Sequence, residues 1–191
     1  QDHRSLDINF VPLQPRQQTA GGRGWFGTVQ GGCDYQFSQR WVVGAFADYD
    51  FSDINGDFAP TFNPINNGVE RLRDSWAVGG RVGYLAFPGL LTYISGGYTE
   101  ARFDSTVLTN PFPTIPTCCT LAAQTYGGWF LGSGFEYALD FMPGLFLKSE
   151  YRFADYGSQN VPIYVFGTNT VTAYEQSHKY VQTIRTELVW R

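Results

Sequence analysis

Seven stretches of this chain alternate apolar and polar side chains, each long enough for a tilted membrane crossing of ~9–11 residues. They are Trp25–Phe37, Trp41–Ile54, Ser75–Phe87, Leu90–Phe103, Gly128–Asp140, Leu145–Gly157 and His178–Arg191. The links between them hold three, twenty, two, twenty-four, four and twenty residues in turn. Short turns at one end and long loops at the other are the layout of an outer-membrane β-barrel. A soluble β-sandwich also alternates, but it has no reason to collect its long loops at one end, and its strands are usually only ~5–6 residues long.

Composition agrees. Aromatic residues make up 17% of the 191 residues and charged residues only 16%, against about 25% charged in soluble domains. No apolar run reaches the ~18 residues of a transmembrane helix. The length fits a single domain, 1–191. A net charge of −4 with scattered basic residues gives no footprint for nucleic acid. Cys33, Cys118 and Cys119 form no CxxC or His/Cys cluster, so neither a metal nor another cofactor is expected.

Period two assigns faces. Trp25, Val29, Cys33 and Phe37 share a face opposite Phe26, Thr28, Gln30 and Asp34. Trp41, Val43, Tyr49 and Phe51 oppose Asp48 and Asp50. Trp76, Val78, Val82 and Tyr84 oppose Ser75 and Arg81. In Leu90–Phe103 the apolar Leu91, Tyr93, Ala101 and Phe103 are assigned outward, with Thr92, Glu100 and Arg102 inward. Further on, Glu136, then Lys148, Glu150 and Arg152, then Lys179, Arg185 and Glu187 oppose apolar partners. Trp25, Trp41, Trp76, Trp129 and Trp190 fall near stretch ends, as membrane-interface aromatics do.

The expected interior is therefore a charge network of Asp48, Arg81, Glu100, Arg102, Glu136, Lys148, Glu150, Arg152, Arg185 and Glu187, with Asp34 and Asp50 on the same faces. Near-balance of sign favours mutual neutralisation, because an unpaired charge in a narrow interior is costly. A salt-bridged plug is the structural reading and a narrow ion path the functional one. Catalysis is not expected. Asp48 and Asp50 lack a nucleophile beside them, and Ser177 and His178, being adjacent, point to opposite faces.

Several blocks resemble a known family. Gly24-Trp25-Phe26-Gly27, Ser75–Tyr84, Leu91–Gly97, Gly132–Leu139, Lys148–Phe153 and Thr186–Arg191 are similar, in order and spacing, to the Omp25/Omp31-like (opacity-type) outer-membrane β-barrel proteins of alphaproteobacteria. The resemblance covers about residues 24–191 and leaves the long loops unmatched. It implies a transmembrane antiparallel up-and-down β-barrel of eight strands, with periplasmic termini and a surface role in the outer membrane of a Gram-negative bacterium. Two departures stand out: the chain stops at Arg191 rather than on an aromatic residue, and only seven stretches are visible. Asp7–Leu13 is too short and proline-broken to be the eighth. Since single-chain bacterial barrels have even strand numbers, the first strand is expected upstream of residue 1, a final residue is expected beyond Arg191, and residues 1–24 are expected to form the first outer loop.

The partners expected are outer-membrane lipid and lipopolysaccharide, with loops 104–127 and 158–177 as candidate protein-contact surfaces. Cys118 and Cys119 allow a vicinal disulfide, a bridge between chains, or no bond. Asn110–Pro116 carries three prolines and reads as a stiff extended segment. Val161–Phe166 is apolar enough either to make a contact patch or to pack against the other loops. The function expected is envelope support and loop presentation, with a small-solute or ion porin as the alternative.

Overall fold

The computed structural model of the protein describes residues 1–13, 18–59, 66–110 and 118–190. Most of the proline-rich stretch 110–116, and Arg191, lie outside them. Eleven strands form one sheet: β1 (Asp2–Leu6), β2 (Gln18–Thr19), β3 (Gly22–Gln36), β4 (Trp41–Phe58), β5 (Gly68–Phe87), β6 (Leu90–Phe103), β7 (Thr106–Leu108), β8 (Cys119–Leu121), β9 (Gln124–Ala138), β10 (Leu145–Val165) and β11 (Val171–Trp190). The order is β2-β1-β11-β10-β9-β6-β5-β4-β3, every pairing is antiparallel, and β7 and β8 form a ribbon against the top of β10. The tight links Ser38–Arg40, Pro88-Gly89 and Phe141–Gly144 lie at one end, where the sequence placed them.

The sheet curls round on itself. Strands far apart in its order touch across the middle: β11 meets β4 through Arg185 and Asp50, and β10 meets β4 through Arg152 and Asp48. It does not close. β3 pairs with β4 alone, and β11 carries β1 only along Tyr174–His178. The reason lies in direction. β3 and β11 both descend from the outer end, so they cannot form an antiparallel ladder with each other. β1 ascends, and it occupies the upper part of the position between them.

The described part of residues 1–24 carries strands where a plain loop was expected. Asp2–Leu6 is paired, and β3 begins at Gly22. Asp7–Leu13 makes a turn instead of a strand, with the Asp7 carboxylate accepting the Asn9 and Val11 backbone N–H groups at 2.8 Å each.

An outer aromatic belt runs round the barrel exterior. Trp76 packs on Tyr98 (5.5 Å between centroids), Trp129 on Phe153 (5.8 Å) and Phe153 on Tyr180 (6.4 Å). Trp41 against Tyr84 (5.3 Å), together with the exposed Trp190, marks the inner end. From Tyr180 to Trp190 a strand tilted by about 40° rises about 25 Å, the height of an outer-membrane apolar band. Val29, Val82, Ile94, Leu131, Ile184 and Leu188 fill the exposed exterior between the belts.

Above the outer belt the strands continue well into stretches read from sequence as long loops. β4 runs to Phe58, β5 starts at Gly68, β10 reaches Val165 and β11 begins at Val171. There the polarity of the two faces reverses. On β4 the outward residues change from Tyr49 and Phe51 to Asp53, Asn55 and Asp57, while the inward ones change from Asp48 and Asp50 to Ile54 and Phe58. On β5, Arg71 and Arg73 are outward and Leu72 inward. The wall there meets water, so the apolar side chains turn inside, where Phe58, Leu72, Leu108, Cys119, Leu121, Val161 and Ile163 form an apolar cap.

Candidate functional site

The interior at membrane level is a mesh of ion pairs held by six strands, β3, β4, β5, β9, β10 and β11. Arg152 on β10 makes a bidentate pair with Asp48 on β4 (2.8 and 3.1 Å), and its Nε donates to Glu150 (2.9 Å). Its guanidinium lies over the Phe130 ring, 4.2 Å from the centroid. Gly79 and Gly97 make room for that ring: a Cβ added at Gly79 would stand 2.7 Å from Phe130 Cζ. The sequence places glycines in mid-strand where a soluble sheet loses by it, because here the ring of Phe130, the ladder partner of Gly97, leans across β6 to β5 and needs the space.

Arg185 on β11 reaches Asp48 (3.4 Å) and Asp50 (3.3 Å), and Thr28 and Ser75 donate hydroxyl bonds to Asp50. Tyr93 donates to Glu150 (2.9 Å). Below this layer, Lys148 pairs with Glu187 (3.1 Å) and bonds Gln30, and Arg81 bridges Asp34 (2.9 Å through Nε) and Glu136. Asp48, Glu136, Lys148, Glu150, Arg152 and Arg185 are all buried. Burying such charges is tolerable only with partners of this quality. A space of about 700 Å³ lies at the open seam between β3 and the lower part of β11, with Gln30, Asp34, Arg81, Glu136, Lys148 and Glu187 on its inner side.

Two residues assigned to this interior are not in it. Glu100 and Arg102 are on the outward face of β6, with Leu91, Tyr93, Ala101 and Phe103 turned inward. Glu100 accepts the Trp76 indole N–H (3.2 Å), and the Arg102 side chain is 60% exposed. The sequence assignment took apolar side chains as outward along the whole of β6. Ala101 and Phe103 stand at or above the belt, where that rule has reversed. Leu91 packs inward near the short-turn end, and Tyr93 turns in to serve Glu150. Trp25, Trp41, Trp76, Trp129 and Trp190 all lie on the outward face, in the two belts.

A second polar group sits under the cap, above the outer belt. Lys179 pairs with Glu70 and lies over the Phe103 ring (4.3 Å) and the Tyr126 ring (5.2 Å). Ser5 donates to Glu175 (2.5 Å), and His3 Nε2 meets the Ala59 carbonyl oxygen (3.1 Å). Burial pushes the Glu175 carboxyl up to about 7, against a lowering by the Ser5 hydroxyl and a further rise from nearby Glu70. Glu70 and Glu175 were missed as interior residues because both lie in stretches read as loops. Their period-two phase with Leu72 and Ala173 is the signal that would have found them.

Cys118 and Cys119 are joined as a vicinal disulfide, and Asn66 donates to the Cys118 sulfur (3.1 Å). Cys33 is free on the lipid-facing side. Val161 and Ile163 are buried in the cap, while Val165 and Phe166 are exposed. Ser177 points inward, and His178 points outward to Asp155 (2.8 Å), so the two do not form a nucleophile–base pair.

A family profile described as outer membrane protein beta-barrel domain matches residues 6–178. Over 145 residues the chain is 32% identical to the 31 kDa outer-membrane immunogenic proteins of Brucella melitensis biotype 1 and Brucella suis biovar 1, an alignment covering 75% of this chain. The chain spans 58% of the length of these curated relatives. No solved structure matches it significantly.

Proposed function

This chain belongs to the outer membrane protein β-barrel family, and from that premise we propose that its work is structural: it supports the envelope of a Gram-negative bacterium and presents its loops outside, with an interior closed to solutes. The observation that carries this reading is the buried Arg152–Asp48–Arg185–Asp50 mesh, which ties β10 and β11 to β4 across the lumen. The apolar cap supports it as a second obstruction on the same path. The loop-presenting role accords with the name of the Brucella relatives, outer-membrane immunogenic protein.

The alternative is a small-solute or ion porin. Proteoliposome swelling in small sugars and salts separates the two. Swelling no faster than in protein-free liposomes supports the structural reading; swelling that scales inversely with solute size supports the porin.

A further inference from the structure

Outside the barrel, just above the outer belt, β5 and β6 carry three exposed guanidinium groups. Arg71, Arg73 and Arg102 have side chains 51%, 69% and 60% exposed. Arg102 stands opposite Asp74 in the ladder, and the next outward pair below is Trp76 and Glu100. The Trp76–Tyr98 aromatic pair thus fixes the depth: the arginines begin one residue pair above the interface, where lipid headgroups lie. Arginine stems are long enough to lie along apolar surface with the charged head at that level.

Their protein partners leave the outward side of the site open. Asp74 serves both Arg73 (3.7 Å) and Arg102 (3.9 Å), beyond hydrogen-bond length, and lies behind them with a side chain only 11% exposed. Arg71 meets the exposed Asp53 at 3.3 Å. Glu100, the acid at the lower edge, is engaged by the Trp76 indole. The belt differs on the far side. At similar height on β9, β10 and β11 the outward residues are Thr125, Gly127, Asp155 and His178, the last two bonded to each other.

We propose that Arg71, Arg73 and Arg102 form a docking site for a phosphorylated glycolipid of the outer leaflet. The forks of Arg73 and Arg102 take the phosphate from two sides, as planar guanidinium groups do better than ammonium groups. The Trp76–Tyr98 pair packs where sugar gives way to acyl chain. The site fixes one face of the barrel against the lipid and leaves the remaining perimeter free to exchange neighbours. It rests on the outer-membrane location alone and holds whether or not the lumen conducts.

The test is binding of the full-length folded protein to lipopolysaccharide and to enzymatically dephosphorylated lipopolysaccharide, read by native mass spectrometry in detergent. Wild type should retain the phosphorylated lipid, and the double variant Arg73→Gln/Arg102→Gln should weaken this about tenfold, as for loss of charge-assisted hydrogen bonds. The dephosphorylated lipid should bind both proteins alike. Arg4→Gln, on β1 where Arg4 bonds Gln176, should change nothing. If the double glutamine variant does not fold, Arg73→Lys/Arg102→Lys keeps the charge and should still lose affinity through the missing fork. Equal retention by wild type and the variant that folds overturns the proposal, and so does an equal loss for phosphorylated and dephosphorylated lipid.

Discussion

The membrane-level interior and the cap above it occupy the same tube, are walled by the same strands, and are built from opposite materials. At membrane level the wall outside must be apolar, so the alternation of the strand sends Asp48, Glu150, Arg152 and Arg185 inward. Above the outer belt the wall meets water, and Phe58, Leu72, Val161 and Ile163 are the side chains sent inward. On β4 and β11 the phase of the pleat stays constant while its polarity is exchanged, at Phe51–Asp53 on β4. On β5 between Arg73 and Trp76, and on β10 between Asp155 and Ser158, a β-bulge shifts the outward face by one residue. What a strand buries is set by what its other face touches.

The largest effect expected from disturbing this contrast is in the charged half. Arg152→Met leaves Asp48 and Glu150 short of their main partner, and should lower unfolding free energy in urea by about 3–5 kcal/mol. Adding Asp48→Asn should recover part of that loss; a double variant no better than the single would mean that the two residues do not act as a pair. In the apolar half, Ile163→Ala should cost about 2–4 kcal/mol by opening a cavity. Its signature should be local: protease cuts at the outer hairpins of intact cells, with the membrane-embedded barrel still resistant. Simultaneous loss of both would show that cap and barrel unfold as one unit.

A smaller effect is expected at Glu175, where the two halves meet. Its carboxyl ionises near 7 in the folded protein, against 4.5 when unperturbed, because burial raises it beside Ser5, Glu70 and Lys179. Between those values Glu175 in the folded protein holds a proton that the unfolded chain has lost. Its contribution is therefore full below about pH 4.5, declines as pH rises towards 7, and is level above. Hydrogen exchange of β1 followed against pH should show this decline, and Glu175→Gln should abolish it. The smallest effect belongs to the exterior. Asp53→Asn breaks a solvent-exposed pair with Arg71 and should change stability by no more than about 1 kcal/mol.

The same contrast explains what was legible in the sequence. The seven crossings could be read because, between the belts, apolar means outward and the period is two. Asp48, Arg81, Glu136, Lys148, Glu150, Arg152, Arg185 and Glu187 were placed inside by that rule, and the structure has them there. Beyond the belts the rule inverts. The upper arms of β4, β5, β10 and β11 therefore looked like loops, Glu70 and Glu175 went unnoticed, and Glu100 and Arg102 were turned the wrong way. The partners across the lumen were not legible at all. Arg152 and Asp48 are 104 residues apart, and only the curl of the sheet brings them together.

The most direct test of the central claim is single-channel recording from the full-length protein in planar bilayers. A lumen crossed by the Arg152–Asp48–Arg185 mesh and covered by the cap should give no steady current, and openings should appear when Arg152→Met is combined with Ile163→Ala. Large, stable currents from the unaltered protein, with the same conductance after both substitutions, would contradict the account.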